Sequence, residues 1–193
     1  MTETELAAAN DLFNLTDREL WIVTAAAGNR RGGLVATFAC RASLVDWLPR
    51  VLVALAKHHH TWQLIEASGV FGLHLISAEQ IDWVWHFGLQ TGHETDKLAD
   101  WSTETGRSGV PLLRDAIGWL DCRVESRMDS GDRTVYLAEV LAARQNRAEP
   151  ALTVQELVRR APPERLEQLQ QQRARDSVVD AGAIEAWRRT PRG

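Results

Sequence analysis

The stretch from residue 33 to residue 76 limits the fold strongly, because apolar runs and a basic segment follow each other closely. Val51–Ala56 and Val70–Leu75 are almost continuously apolar, which is typical of buried strands. Between them stand the basic segment Lys57–Thr61 and a predicted short helix over 62–67, ended by Ser68-Gly69. Polar and basic residues thus collect where strands end and a helix begins. Such an arrangement binds a phosphate beside a planar ring.

The rest of the chain predicts a mainly β fold with peripheral helices. The turn formers at 28–33 make the first two strands antiparallel neighbours. The polar stretch 88–111 reads as a long functional loop. Strands are predicted at 20–25, 33–40, 51–56, 70–75, 117–124 and 134–141, and helices at 6–15, 62–67, 78–87 and, around the Pro162-Pro163 break, from 152 onward.

Composition is that of an ordinary globular chain of 193 residues, 45% hydrophobic and 25% charged. The net charge of -4 argues against nucleic acid or an anionic membrane as the main partner. No apolar run approaches a membrane span, and the acidic first residues differ from a signal peptide. Cys40 and Cys122 lie far apart in predicted strands, which favours a reduced, cytoplasmic protein.

The last 43 residues differ in composition from the rest, which predicts a main domain over 1–150 and a helical C-terminal extension over 151–193. The extension has no lysine, eight arginines and six acidic residues. We therefore expect an arginine-bearing tail to lie on an acidic body, either its own or a partner's.

Thr61 and Lys57 form the candidate phosphate site. Thr61 stands at the predicted helix start, with N–H groups at Trp62 and Gln63, and Lys57 supplies a cation. The segment alone has a simpler interpretation, in which Thr61 only caps the helix and Lys57 is solvated.

Three consecutive histidines raise the question of a metal site. His58 and His60 would share one face of an extended strand, as paired metal ligands do. The sequence shows no matching cysteine, histidine or carboxylate cluster, so no metal site is predicted. These histidines are expected to donate to a phosphate or a ring carbonyl instead.

Five segments between residues 18 and 143 resemble, in order and spacing, those of the flavin reductase-like family. They are Gly33–Leu44, Lys57–Thr61 with Leu64-Ile65, Gly92 with Asp96–Leu98, Trp119–Cys122, and Gly131–Arg133 with Glu139-Val140.

The resemblance implies an FMN-binding split β-barrel, Greek-key-like, that forms a homodimer with the flavin near the subunit interface. It implies hydride transfer from NAD(P)H to FMN, or to FAD, and a monooxygenase or another redox protein as partner. Hydride passes directly from nicotinamide to flavin, so no catalytic acid, base or nucleophile is predicted.

The resemblance also implies site residues. The flavin is approached by Val35, Ala36 and Thr37, and its isoalloxazine edge is lined by Cys40, Arg41 and Ala42. The phosphate is contacted by Lys57 and Thr61, with His58 and His60 as further donors. Lys97 matches a loop lysine of the family, and Arg133 stands where many members place a nicotinamide-side histidine.

Two arginines depart from the family pattern. Arg41 replaces a serine, and either supports the reduced ring or forms an interface salt bridge. Arg133 replaces the histidine. This change leaves open an FMN-containing electron carrier, similar to flavoredoxin, without direct NAD(P)H turnover. A non-redox ligand-binding or scaffold use of the same barrel is a third alternative.

Overall fold

A computed structural model describes residues 1–90, 92 and 95–190. Within these residues the chain forms nine strands and five α-helices. The strands are β1 Trp21–Ala27, β2 Arg30–Ala36, β3 Ala39–Arg41, β4 Arg50–Ala56, β5 Val70–Leu75, β6 Thr103–Thr105, β7 Pro111–Leu113, β8 Gly118–Asp129 and β9 Arg133–Gln145. The helices are α1 Glu3–Asn14, α2 His60–Ser68, α3 Ile81–Leu89, α4 Val154–Arg160 and α5 Pro163–Arg189, with a 3-10 turn at Ala78–Gln80.

Seven strands form one curled, half-barrel sheet in the order β2-β1-β5-β8-β9-β4-β3. Every neighbouring pair is antiparallel. Strands β6 and β7 form a separate hairpin. The predicted mainly β architecture is confirmed. The predicted helices of the C-terminal region are also present.

Two clusters of buried side chains stabilise the fold. The first lies between the sheet and α2 and includes Leu34, Phe71 and Tyr136. The second lies beneath α3 and the β7 hairpin, and Leu152 and Leu157 of the C-terminal region belong to it. The division between residues 150 and 151 stays a prediction. No helix among the described residues is long and apolar enough to span a membrane.

Three predicted elements need correction. The strand predicted over 33–40 is two strands, because a bend at residues 37 and 38 turns β3 away to pair with β4. Thr61 does not cap α2. Instead His59 is the N-cap, since its backbone is the last extended one, and Thr61 lies inside the helix. The stretch predicted as a loop over 88–111 contains β6, whose pairing with β7 its weak apolar pattern concealed.

Candidate functional site

The basic turn, Lys57, His58 and His59 between β4 and α2, lies beside the β8–β9 hairpin. The pairing of β4 with β9 sets Ala56 opposite Arg133. The backbone N–H of Lys57 donates to the Asp132 carbonyl at 2.9 Å. The ammonium of Lys57 donates to Asp129 at 2.5 Å. The predicted phosphate and nicotinamide contacts, Lys57 and Arg133, are therefore neighbours.

Helix α2 begins at the basic turn, and the side chain of its N-cap residue, His59, makes no capping hydrogen bond. His60 and Thr61 in its first turn are buried. A Cβ at Gly32 of β2 would lie 3.2 Å from the His60 ring and 3.4 Å from the Thr61 hydroxyl oxygen. The absence of a side chain at Gly32 lets α2 approach the sheet this closely. The helix dipole adds positive potential at the turn.

The bend after β2 brings Phe38 next to Arg133, beside the basic turn. The guanidinium of Arg133 lies 5.2 Å from the centre of the Phe38 ring, within the range of a cation–π contact. Val35 and Thr37 are half-buried and Ala36 is buried. The end of β2 and the basic turn thus border one surface.

Helix α5 lies across this surface and brings carboxylates to it. The His58 ring stands between two of these carboxylates. Its Nε2 is 3.5 Å from Asp176, and its Nδ1 is 3.5 Å from Asp180. Arg133 donates to Asp180 at 2.9 Å and lies 3.1 Å from Asp132. The tail was expected to contact the rest of the protein through its arginines. On this surface the contacts are made by the two aspartates instead, because the residues that they face, His58 and Arg133, are basic.

Apolar packing holds both ends of α5. Near its start, Leu166 and Leu169 pack against the second core cluster, as does Val35. Towards its end, a Cβ at Gly131 would lie 3.1 Å from the Ile184 Cα, so a glycine in the β8–β9 turn makes room for the helix. Gly131 also has φ 97°, a conformation that favours glycine.

Burial and charge set the protonation of the groups at the turn. Burial raises the pKa of Asp180, against the opposing effect of Arg133 and His58. Burial, reinforced by the neighbouring His58, lowers the pKa of His59 to about 4, so His59 is neutral at pH 7. The hydrogen bond from Lys57 lowers the pKa of Asp129.

This donor set fits a phosphate. Lys57, His58 and Arg133 already hold carboxylate oxygens, so they can hold other anionic oxygens. The start of α2 offers backbone N–H groups beside them.

The sequence model of the flavin reductase like domain matches residues 14–160. The chain belongs to the flavin reductase-like family. A member named FMN reductase (NADH) RutF 2, from Rhizobium rhizogenes, is 32% identical over 132 residues, which are 68% of this chain and 74% of that protein. The reductase subunit HsaB of a flavin-dependent monooxygenase, from Mycobacterium tuberculosis, is 34% identical over 105 residues, 53% of this chain and 54% of HsaB.

A solved structure shares the fold. The NADH:FAD oxidoreductase SgcE6 of Streptomyces globisporus has a TM-score of 0.68 and 23% sequence identity, and the match covers 79% of this chain and 90% of that one. The split-barrel prediction is thereby confirmed. The chain spans only 21 to 23% of the length of four diflavin flavoproteins, from Synechocystis and Nostoc, that it also matches.

Some family-derived site residues lie apart from the basic turn. Arg41 is exposed and donates to Ser43 and Asp46 within the loop between β3 and β4. Cys40 is exposed on β3. Lys97 is nearer to the turn, because its charge acts on His59, but it is buried and donates to the Phe87 carbonyl at 2.7 Å at the end of α3. Burial lowers its pKa to about 8. His58, His60, Thr61 and Arg133 lie at or beside the turn.

Sequence reasoning missed the two aspartates of α5. Asp176 and Asp180 are more than a hundred positions from His58, and no local pattern reports a contact over that separation. Their spacing of four on a predicted helix places them on one face. That shared face was the one feature of the sequence that could have indicated a common contact. Phe38 was also missed, because it was assigned to a continuous strand rather than to a bend.

Proposed function

We propose that this protein is a flavin reductase that transfers hydride from NAD(P)H to FMN, with FAD as an alternative flavin. The observation that carries the proposal is the basic turn, where Lys57, His58 and Arg133 meet the start of α2. The FMN reductase relative from Rhizobium rhizogenes supports the same activity.

In this proposal the phosphate of the flavin lies at the basic turn. A phosphate monoester carries about two negative charges near neutral pH. Lys57 and His58 supply positive or donor groups, and the first turn of α2, with His60 and Thr61, supplies backbone N–H groups. Asp176 and Asp180 now face His58, and Asp180 also faces Arg133, so the phosphate replaces these carboxylates and α5 moves aside.

The ring of the flavin is proposed to lie along the end of β2 and the start of β3. The contacts proposed there are those of the family pattern, namely Val35, Ala36, Thr37, Cys40, Arg41 and Ala42, with Lys97 in the loop beyond α3. Bound flavin supplies a hydride acceptor that needs no acid or base from the protein. The residues of this chain therefore bind and align, and Arg133 faces the nicotinamide side.

A second candidate is an FMN electron carrier that receives electrons from a protein. Arg133 favours it, because its guanidinium is held between Asp132 and Asp180. A guanidinium engaged in this way is less available to a nicotinamide nucleotide. Purified protein that keeps FMN through desalting and does not oxidise NADH or NADPH would identify the carrier.

We also propose a homodimer, a reduced cytoplasmic location and a monooxygenase partner. The loop between β3 and β4 exposes 94% of Leu44, 81% of Trp47 and 61% of Leu48, an apolar surface suited to a second copy of the chain. Sedimentation velocity tests the dimer. Free Cys40 is consistent with a reducing compartment. The HsaB relative supports the monooxygenase partner.

Lys57→Gln tests the phosphate site. Removal of one charge-assisted contact is expected to weaken FMN binding about tenfold and to leave riboflavin, which has no phosphate, unaffected. Flavin fluorescence titration measures both ligands, and FMN-dependent oxidation of NADH or NADPH measures turnover.

Arg123→Gln is the matched control, because Arg123 is a cation paired with Glu139 on the exposed side of the β8–β9 hairpin. It should bind both ligands like the wild type. A wild-type protein that binds neither FMN nor FAD would refute the proposed function. If Lys57→Gln lost the same affinity for FMN and for riboflavin, the phosphate would not bind at the basic turn.

A further inference from the structure

Side chains from two distant parts of the chain meet at the basic turn with the chemistry of metal ligands. His58, His59 and Asp176 each offer one ligand atom, and the three atoms all lie within 4.8 Å of one another. His58 Nε2 lies 3.5 Å from Asp176 Oδ1. We propose that His58, His59 and Asp176 bind a divalent transition-metal ion of the Zn²⁺ type.

The donor set selects this class of ion. Two imidazole nitrogens and one carboxylate oxygen suit Zn²⁺, Co²⁺ or Ni²⁺, whereas Mg²⁺ and Ca²⁺ prefer oxygen ligands alone. Ligand atoms around Zn²⁺ lie about 2.0 to 2.2 Å from the ion, so neighbouring ligands are separated by roughly 3 to 3.5 Å. The separations, which are at most 4.8 Å, therefore require closure by no more than about 1 to 2 Å. Side-chain rotation supplies a movement of this size. All three residues are half-buried, so water can fill the remaining position.

A second layer of contacts orients the proposed ligands. His58 turns its other ring nitrogen, Nδ1, towards Asp180 at 3.5 Å, and Arg133 in turn donates to Asp180 at 2.9 Å. Metal-binding histidines characteristically place their second nitrogen against a carboxylate in this way. Gln172 donates to Asp176 at 2.8 Å from the previous turn of α5. Asp180 and Gln172 are thus positioning residues for the site.

The proposed ion joins α5 to the body of the protein. Two ligands belong to the basic turn and the third to α5, more than a hundred residues later. A metal bridge between such distant segments holds the helix across the turn. His58 also belongs to the proposed phosphate site, where α5 moves aside. An ion that holds α5 across the turn and a phosphate bound at the turn therefore exclude each other, and the ion is tested in flavin-free protein.

The test is calorimetric titration of ZnCl₂ into the untagged, flavin-free full chain after treatment with a chelator. We expect one Zn²⁺ per chain. Asp176→Ala should weaken binding at least tenfold. Glu185→Ala removes the same charge from the exposed side of α5, and should bind like the wild type. Asp180→Ala should weaken binding about tenfold, as loss of an orienting carboxylate does.

Co²⁺ absorption gives a second readout, because its visible bands report nitrogen and oxygen coordination directly. They should appear in the wild type and Glu185→Ala and be lost in Asp176→Ala. Circular dichroism checks that each variant is folded, and Asp176→Asn replaces Asp176→Ala if the alanine variant is not. The proposal is overturned if the wild type takes up no stoichiometric Zn²⁺, or if the folded Asp176 variant binds as tightly as Glu185→Ala.

Discussion

His74 shows how one buried side chain joins three strands. Its Nδ1 donates to the Ile22 carbonyl of β1 at 2.9 Å, and its Nε2 accepts from the Leu113 N–H of β7 at 3.0 Å. Both ring nitrogens are thereby used in a fully buried place on β5. Burial lowers the pKa of His74 to about 4, so the imidazole is neutral in the folded protein at pH 7.

Acid should therefore destabilise the protein through His74. Between pH 6.5 and 4 the unfolded chain binds a proton at His74 that the folded chain does not, so the free energy of unfolding falls as the pH falls through this range. The contribution is about 3 kcal/mol when complete. Urea unfolding at several pH values measures it. His74→Gln, which lacks the titrating group, should show a flatter pH dependence. Identical slopes for both proteins would contradict the prediction.

Individual site residues were predictable only where the contact is local. Lys57, His58 and Thr61 follow a strand in the sequence, so their meeting at a helix start was predicted from the pattern. The exact cap was not, because His59 and Thr61 lie two positions apart in one polar segment, and only the backbone conformation at His59 decides between them. The carboxylates facing His58 come from α5, and no sequence neighbourhood reveals them.

At the scale of elements, the contact of β2 with α3 depends on Gly33. A Cβ at Gly33 would lie 2.8 Å from Phe87 Cε1 and 3.2 Å from the Val23 carbonyl oxygen. Phe87 is buried in the second core cluster, and its ring packs against the rings of His86 and Trp101. The absence of a side chain at position 33 lets β2 approach α3 this closely.

Gly33→Ala should lower the free energy of unfolding by about 1 to 3 kcal/mol, through overpacking against Phe87. Urea denaturation with circular dichroism measures it. Gly182→Ala in α5 is the control, since nothing lies within 4 Å of its Cβ position. The control should stabilise the helix by about 0.5 to 1 kcal/mol. If Gly33→Ala were as stable as the wild type, the Phe87 ring would have shifted to make room for the added methyl group, contrary to the prediction.

Strands that are buried along their length were predicted well, because a continuous apolar run has few alternatives. Val70–Leu75 is observed as predicted. The break between β2 and β3 was not predicted, because it arises from the curl of the sheet, which redirects the chain to a partner 14 residues further on, Ala39 to Val53. Strand β6 was missed because Thr103–Thr105 pairs with one short partner only.

At the scale of the whole molecule, α5 covers the surface on which we propose that the flavin phosphate binds. Its placement was not predictable from charge. The tail has an excess of arginine, yet Asp176 and Asp180 make the contacts, since both lie on the face towards the basic turn. Net charge of a segment does not report which side chains face the rest of the protein.

Asp180→Asn should raise FMN affinity, by roughly fivefold, because it removes a carboxylate that occupies Arg133 and His58. Titration of FMN fluorescence measures the change, in metal-free buffer so that only the competition between carboxylate and phosphate is tested. Glu185→Gln, a neutral substitution on the exposed side of the same helix, should leave the affinity unchanged. Weaker FMN binding by Asp180→Asn would mean that Asp180 supports the flavin site rather than competing for it.

Because α5 is part of the same chain, its carboxylates stand beside the basic turn at an effective concentration that dilution does not alter. An anion from solution must therefore compete with these carboxylates for the basic turn. Its apparent dissociation constant is the intrinsic one divided by the fraction of molecules whose helix is raised. A second protein that binds the displaced α5 would therefore increase ligand occupancy without contacting the ligand. The size of that effect is set by the free energy needed to displace this helix of 27 residues from the turn.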